Sequence, residues 1–300
     1  MLSRKCEEDS VKFQYSVLMS VYHKERAEYL RQAIESIQMQ TIPTNDLVLV
    51  CDGPLTAELD AVIAFKQQEM GSVLKIVRLA KNGGLGNALN EGIKHCKNEL
   101  VARMDSDDIS AADRCEKQVK LFEKNPELDI ASGALLEFVT TPDQIMGGRK
   151  VPCSNDEIVR YSRKRCPFNH PCVMFKKSAV EHAGGYQEKY HLFEDYYLWI
   201  RMLQNDCKAQ NLPDVLLYMR TPADMYLRRG GVDYAKAMLR FHWWVHKSGW
   251  TSLADFCMGA VPHAIVCVMP NKLRQMIYRN LHPSGGGTKY YENCSVDTVP

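Results

Sequence analysis

The chain reads as an α/β protein whose first half forms a parallel sheet with helices on both faces. Three observations predict this. Short apolar runs alternate with segments of helical periodicity, the runs are apolar throughout rather than at every second residue, and two of them are followed by aspartate, at Asp52 and Asp105. Strands buried on both faces carry continuous apolar runs, and parallel pairing needs helical crossovers between them. Ligands of such sheets bind beyond the carboxyl ends of the strands, where both aspartates fall.

Each element has its own warrant. Tyr15 to Tyr22 is rich in β-formers, and Leu30, Ile34 and Ile37 set a helical spacing across 26–39. Leu47-Val48-Leu49-Val50-Cys51 is a short strand closed by the turn-forming Asp52-Gly53-Pro54. A helix over about 57–70, a strand at 73–79, a helix at 85–96 and a strand at 99–104 follow, within a first half of about 14–125. In the second half, about 126–230, Ile130 to Val139 and Val151 read as sheet and Asp156 to Lys164 as helix. Cys172 to Phe175 reads as strand, Glu194 to Gln204 as helix and Val215 to Met219 as strand. Val232 to His246 is helical, and a further helical stretch, 251–281, is expected to break at Pro262 and Pro270. The tail, 283–300, with its Gly285-Gly286-Gly287, is expected to be disordered, and no internal repeat is present.

A hydrophobic content of 45% supports a substantial core in a chain of 300 residues. A net charge of +2 gives no electrostatic case for binding nucleic acid. The first residues carry no apolar segment of a secretory signal, which points to a cytoplasmic protein. Eleven cysteines with no CxxC pair predict reduced thiols rather than a zinc site or a disulfide framework.

The densest chemistry lies in Met104-Asp105-Ser106-Asp107-Asp108. Asp105 and Asp107 are two apart and face the same way if the backbone stays extended. Carboxylates so close repel one another unless positive charge sits between them. Hard oxygen ligands suit Mg²⁺ or Mn²⁺, which take one or two carboxylates together with substrate phosphates. The pattern points to a metal-assisted phosphate or nucleotide site. Asp52 is either a turn former or an acceptor aimed at a ligand N–H. Asn82-Gly83-Gly84-Leu85-Gly86-Asn87-Ala88-Leu89-Asn90 either lets the backbone approach a ligand and frees a helix N-terminus for negative charge, or is a glycine turn with Asn caps. Glu194 and Asp195 open a helix, where acids also serve simply to complement the dipole. Arg228-Arg229-Gly230-Gly231 offers two guanidiniums to a diphosphate, or is a solvated basic turn.

Taken in order, these motifs resemble the inverting family 2 glycosyltransferases with the GT-A fold, notably those of bacterial polysaccharide and O-antigen biosynthesis, the amylovoran type included. The resemblance covers about 14–230, with a weaker echo to about 282. It implies a GT-A catalytic domain over 1–230 with a mixed sheet, whose first half binds the nucleotide and whose second half holds the acceptor. A C-terminal helical, membrane-associating segment over 231–282 completes it. The implied donor is a UDP-hexose held by Asp52 (on the uracil), Asn82, Gly83, Asn90, Asp105, Arg228 and Arg229. Asp107, with Asp105, would hold Mn²⁺ or Mg²⁺. Asp195 would act as general base with Glu194 in support, and His170 and Gly185 would lie on the acceptor side. The implied acceptor is a lipid-linked or oligosaccharide molecule, met at the inner face of the membrane by a peripheral protein.

Two further points bear on this reading. Relatives carry Arg before the last Asn of the glycine segment, where this chain has Leu89, so no charge pairing is expected from that position. Leu253 to Met269 is apolar except for Asp255 and His263 and is followed by Lys272, Arg274 and Arg279 with no acid among them, as in an interfacial helix or a cover for the catalytic core. A nucleotidyltransferase would place a glycine-rich loop after the first strand, whereas His23-Lys24-Glu25-Arg26 has none. An aspartyl-phosphate phosphatase would carry its DxD on the first strand. An inactive sugar-nucleotide-binding scaffold would have no use for Asp107 and Asp195.

Overall fold

A computed structural model describes residues 14–221 and 230–269. Arg228, Arg229, the basic run Lys272, Arg274 and Arg279, Pro270 and the tail lie outside the described residues. Strands β1 (Tyr15–Val21), β2 (Leu47–Cys51), β3 (Leu74–Arg78) and β4 (Leu100–Asp105) pair in parallel in the order β3-β2-β1-β4. Helices α1 (Ala27–Gln38), α2 (Ala57–Met70) and α3 (Leu85–His95) make the crossovers. The strand order reverses at β1, which opens a crevice at the carboxyl ends of β1 and β4. Gly92 sets how closely α3 lies on the sheet: a β-carbon there would overlap Leu18 and Val50.

The second half extends the same sheet. Its elements are β5 (Ile109–Ser110), α4 (Arg114–Lys124), β6 (Leu128–Phe138), β7 (Ile145–Arg149), α5 (Asn155–Tyr161), β8 (Met174–Lys176), α6 (Lys177–His182), α7 (Glu194–Gln204) and β9 (Lys208–Arg220). β8 runs antiparallel to both β4 and β6, β9 lies parallel to β6, and β5 and β7 pair antiparallel at β9 and β6. The result is one mixed sheet, β3-β2-β1-β4-β8-β6-β9-β5, with β7 on the side of β6. Hydrophobic clusters cover its two faces. The expected α/β class and mixed sheet are what the structure contains.

Several expected boundaries move. The strand expected at Val151 is Ile145–Arg149, hidden in the sequence by Gly147 and Gly148. Helix α4 carries its apolar residues among buried polar ones, Arg114 and Gln118, so its periodicity is weak on sequence alone. β9 begins at Lys208, not Val215, and runs past Pro213. Its register against β6 shifts between Gly133 and Ala134, so a bulge absorbs the missing proline N–H. The described cysteines are all free thiols, as expected.

After the sheet, α8 (Val232–Lys247) packs Phe241 and Val245 against Tyr196, Tyr197 and Ile200 of α7. Helix α9 (Leu253–Asp255) then passes through a π-helical turn, Phe256–Ala260, into α10 (Val261–Val268). The break expected at Pro262 does not occur. Pro262 stands in the first turn of α10, directly after the wider π turn, and the helix runs on. A proline costs least where the ladder is already re-registered.

Arg114 ties the halves together from inside. It is fully buried and donates to the carbonyls of Arg103 (2.7 Å), Pro171 (3.3 Å) and Val173 (3.3 Å), and to Gln118 Oε1 (3.1 Å). Arg114→Ala should cost roughly 3 kcal/mol of stability, the scale of stranding several buried carbonyls beside a cavity. Denaturant unfolding measures it; a loss under about 1 kcal/mol would contradict this role.

Candidate active site

The acidic segment is a turn rather than an extended run. Asp105 closes β4, and Ser106-Asp107 turns the chain toward β5, so Asp107 does not share the strand geometry of Asp105. Arg103 lies two residues earlier on β4, only 1% exposed, and donates through both terminal nitrogens to the Asp105 carboxylate at 3.0 and 2.5 Å. This guanidinium supplies positive charge that the sequence left unassigned. Arg220, the last residue of β9, grips the turn from the other side. Its backbone N–H donates to Asp108 Oδ1 (2.8 Å) and its Nε to the Asp107 carbonyl (3.0 Å). Its other nitrogens reach the Thr140 carbonyl (3.1 Å) and Gln32 Oε1 (2.8 Å), with the guanidinium 3.8 Å from the Tyr29 ring. Asp108 is buried and fastens β9; its Oδ2 has no partner among the described residues.

Negative charge remains in excess. Burial, then the charges of Asp105 and Glu25, push Asp107 up to about 7. Burial also raises Glu25, with Asp105 adding to it against the N–H of Arg26. Among the described residues no three His, Cys, Asp or Glu side chains converge into a ready-made metal cage. A divalent cation would therefore draw on Asp107, since both carboxylate oxygens of Asp105 already accept from Arg103, and take its other oxygens from phosphate and water. That is the ordinary habit of Mg²⁺, and the under-compensated Asp107 fits it.

The Asp52 carboxylate is used inside the protein. Its Oδ1 accepts from Gly83 N–H (2.7 Å) and its Oδ2 from Gly84 N–H (3.0 Å), while Asn82 Nδ2 donates to the Asp52 carbonyl (3.1 Å). The negative group at the entry to α3 is thus Asp52 itself. Gly53 has φ +86°, and a β-carbon there would stand 2.6 Å from Asn82 N, so the two loops touch through backbone. Leu89 is fully buried and faces the core.

Asn90 differs from its expected donor contact. Its amide is occupied at both ends by the Tyr186 backbone, Nδ2 to the carbonyl (2.7 Å) and Oδ1 from the N–H (2.8 Å). Gly185, at φ +63°, makes room for that clamp: a β-carbon would meet Asn90 Oδ1 at 2.7 Å. Tyr186 then hydrogen-bonds His170 Nε2 through its hydroxyl (2.9 Å), and both rings pack on buried Trp199. Burial, then Arg103, hold His170 well below the usual imidazole range, so it stays neutral.

Asp195 sits in the first turn of α7, Oδ1 accepting from Tyr196 N–H (2.7 Å) and Oδ2 facing Cys166 Sγ (3.9 Å). Glu194 meets the exposed His191 ring at 3.2 Å. The Tyr186 hydroxyl is pushed up by burial; Arg103 opposes this, and Asp195 and Asp105 add to it. One side chain thus feels both the acidic turn and the start of α7. Asp105, His170 and Asp195 lie about Tyr186, with Asp107 in the turn after Asp105, while Asp52 and Asn82 lie on the neighbouring loop pair. Glu25, Arg103 and Arg220 were not singled out in the sequence. Arg103 was findable, since the period of a strand puts it on the face of Asp105.

Comparison with known proteins fits this geometry. The description Glycosyl transferase family 2 matches residues 16–184. The chain is 36% identical over 274 residues to the UDP-Gal:alpha-D-GlcNAc-diphosphoundecaprenol beta-1,3-galactosyltransferase of Escherichia coli, covering 91% of this chain and 98% of that one. It is 38% identical over 265 residues to the amylovoran biosynthesis glycosyltransferase AmsE of Erwinia amylovora, covering 88% and 97%. In fold it is similar to a mannosyltransferase from Pyrobaculum calidifontis solved with GDP-Man and Mn²⁺, with TM-score 0.61, 18% identity and coverage of 91% and 82%. The ordered motifs, the GT-A sheet and these relatives agree: the chain belongs to glycosyl transferase family 2.

Proposed function

We propose that the chain moves a hexose from UDP to a lipid-linked saccharide during bacterial surface-polysaccharide assembly, with inversion at the anomeric carbon. The observation that carries this reading is the placement of two acids: Asp105 closes β4 at the crevice, paired with buried Arg103, and Asp195 stands in the first turn of α7. The named activity of the E. coli relative supports the donor and the acceptor class. No described helix is long and apolar enough to cross a membrane. In this reading the acceptor is met at the inner membrane surface by a peripheral protein.

In this reading Asp195 accepts the proton of the acceptor hydroxyl as its oxygen bonds to the anomeric carbon. The bond to the UDP oxygen breaks on the opposite face, which inverts the centre. An oxocarbenium-like transition state makes the hydroxyl acidic late, so an ionised, weakly basic carboxylate suffices. Glu194 supports that end of α7. Asp52 holds the glycine segment against the donor crevice and keeps lone pairs for a uracil N–H, with Asn82 and Gly83 beside it. Arg228 and Arg229 are assigned to the diphosphate by motif order alone. A divalent cation, Mn²⁺ or Mg²⁺, when bound at Asp107 would offset charge on the leaving diphosphate. Neutral His170 and Gly185 shape the acceptor side.

Asp195→Asn should leave UDP binding nearly unchanged and lower turnover by roughly 10²–10⁴-fold, the usual scale for a lost base. Near-normal turnover in this variant, with Glu194→Gln inactive, would name the other carboxylate. Asp107→Asn should abolish transfer and weaken UDP binding, as should removal of divalent metal by EDTA. Because Asp107 is raised above its unfolded value, its stabilising contribution is present at acid pH and lost as pH climbs toward about 7. The same variant should therefore melt higher than wild type at pH 8 without ligand, a gain that vanishes near pH 4. An α-linked UDP-hexose should give a β-linked product, read from the anomeric proton coupling in NMR; retention would defeat the role given to Asp195.

A further inference from the structure

Arg201, on α7, spends a half-buried guanidinium on backbone carbonyls. Its Nη2 donates to the Gly185 carbonyl (2.6 Å), its Nη1 to the Ala183 carbonyl, and its Nε to the Tyr197 carbonyl one turn back on α7 (3.3 Å). The group stands 4.3 Å from the centre of the Tyr197 ring. Among the described residues no carboxylate pairs with it. The donors of an arginine lie in one rigid plane, so a guanidinium forked across two carbonyls fixes their direction as well as their distance.

Those carbonyls belong to the segment that leaves α6. There the chain turns through two left-handed glycines, Gly184 (φ +80°) and Gly185 (φ +63°), whose N–H groups return to the carbonyls of Glu181 and Val180 at 2.9 Å each. A β-carbon at Gly184 would stand 3.3 Å from Arg201 Nη1, so the glycine admits the guanidinium. The next residue is Tyr186, whose N–H and carbonyl are both held by Asn90 of α3. Gly86 of the same helix backs it: a β-carbon there would lie 3.4 Å from Tyr186 Cβ. Residues 183–186 are thus gripped from two sides. On one side is α7, whose first turn holds Asp195, and on the other is α3, which opens at the glycine segment. Arg201 follows Asp195 by six residues, about 9 Å along the helix axis.

We infer that Arg201 is a positioning residue for the acceptor: by tying the Ala183 and Gly185 carbonyls to α7, it sets how far Gly185, Tyr186 and His170 stand from the candidate base Asp195. Its nitrogens face carbonyls, so it acts through Gly185 and Tyr186, and from the Tyr186 hydroxyl on His170 (2.9 Å). Trp199, two residues before Arg201, already seats both rings on α7. Apolar packing is non-directional, however, and leaves a loop free to slide, whereas hydrogen bonds of fixed geometry remove that freedom. Asn90 alone would register the segment to the donor-side helix but not to the base. The inference rests on the acceptor side assigned above to His170 and Gly185.

The test compares Arg201→Gln with wild type in the full chain. For a short-chain lipid-diphosphate saccharide acceptor, kcat/KM should fall by roughly 10–100-fold, the scale on which small misplacements tell, while UDP affinity and the donor KM change by less than about twofold. Hydrogen exchange read by mass spectrometry should quicken across 183–187 and stay as in wild type over α3 and β1. Arg201→Lys keeps the charge and the stem but cannot span two carbonyls. It should show the same split in weaker form, and it decides the matter where the Gln variant does not fold. An equal loss for UDP and acceptor, or acceptor kinetics that neither variant moves, would overturn the proposal. If wild type transfers no sugar, the functional reading fails instead. Quickened exchange confined to 183–187 would then uphold the positioning role, and unchanged exchange would refute it.

Discussion

The architecture of the site depends on the bidentate contact between Arg103 and Asp105. A guanidinium buried on a central strand requires an anion, and the nearest one stands two residues along on the same face. That pairing fixes Asp105 at the mouth of the crevice and leaves the charge of Asp107 and Glu25 under-compensated. The strand cannot shift by one residue without sending Arg103 to the other face. Arg114 holds the Arg103 carbonyl, and Arg220 secures the turn that follows. Three arginines, drawn from β4, α4 and β9, thus determine where an acidic tripeptide points.

A second constraint joins the two halves. Asn90 lies on α3, and its amide holds the backbone of Tyr186, ninety-six residues away. Tyr186 in turn reaches His170 and Trp199. Residues read from sequence as separate ligand contacts are therefore joints between elements, with geometry set by backbone hydrogen bonds. Such joints hold a site to the tolerance that chemistry needs.

The parallel half was legible because its strands are buried on both faces and its helices are amphipathic. Leu47–Cys51 and the spacing of Leu30, Ile34 and Ile37 carry that information locally. The antiparallel half was less so. β7 hides behind two glycines, β9 contains a proline, and α4 buries Arg114 and Gln118, so polar residues stand where periodicity looks for apolar ones. In the candidate site, Asp105, Asp107 and Asp195 were singled out through their order along the chain. Arg220 was not, since its partners lie more than a hundred residues away at the acidic turn. The roles of Asp52 and Asn90 as internal clamps were equally out of reach, because an acceptor that holds its own loop looks no different in sequence from one that holds a ligand.

The π turn at Phe256–Ala260 places one helix in two angular frames. The buried stripe Ala260, Ala264, Cys267 and the exposed stripe Val261, Ile265, Val268 differ by a single position, or about 100° of rotation. A π turn has the geometry of a one-residue insertion in an α-helix. Deleting one residue there would close the turn to ordinary α pitch and roll α10 about its axis, carrying valine and isoleucine onto α8 where alanines now pack. Whether this face looks outward is thus decided by the length of the chain at one point rather than by its composition.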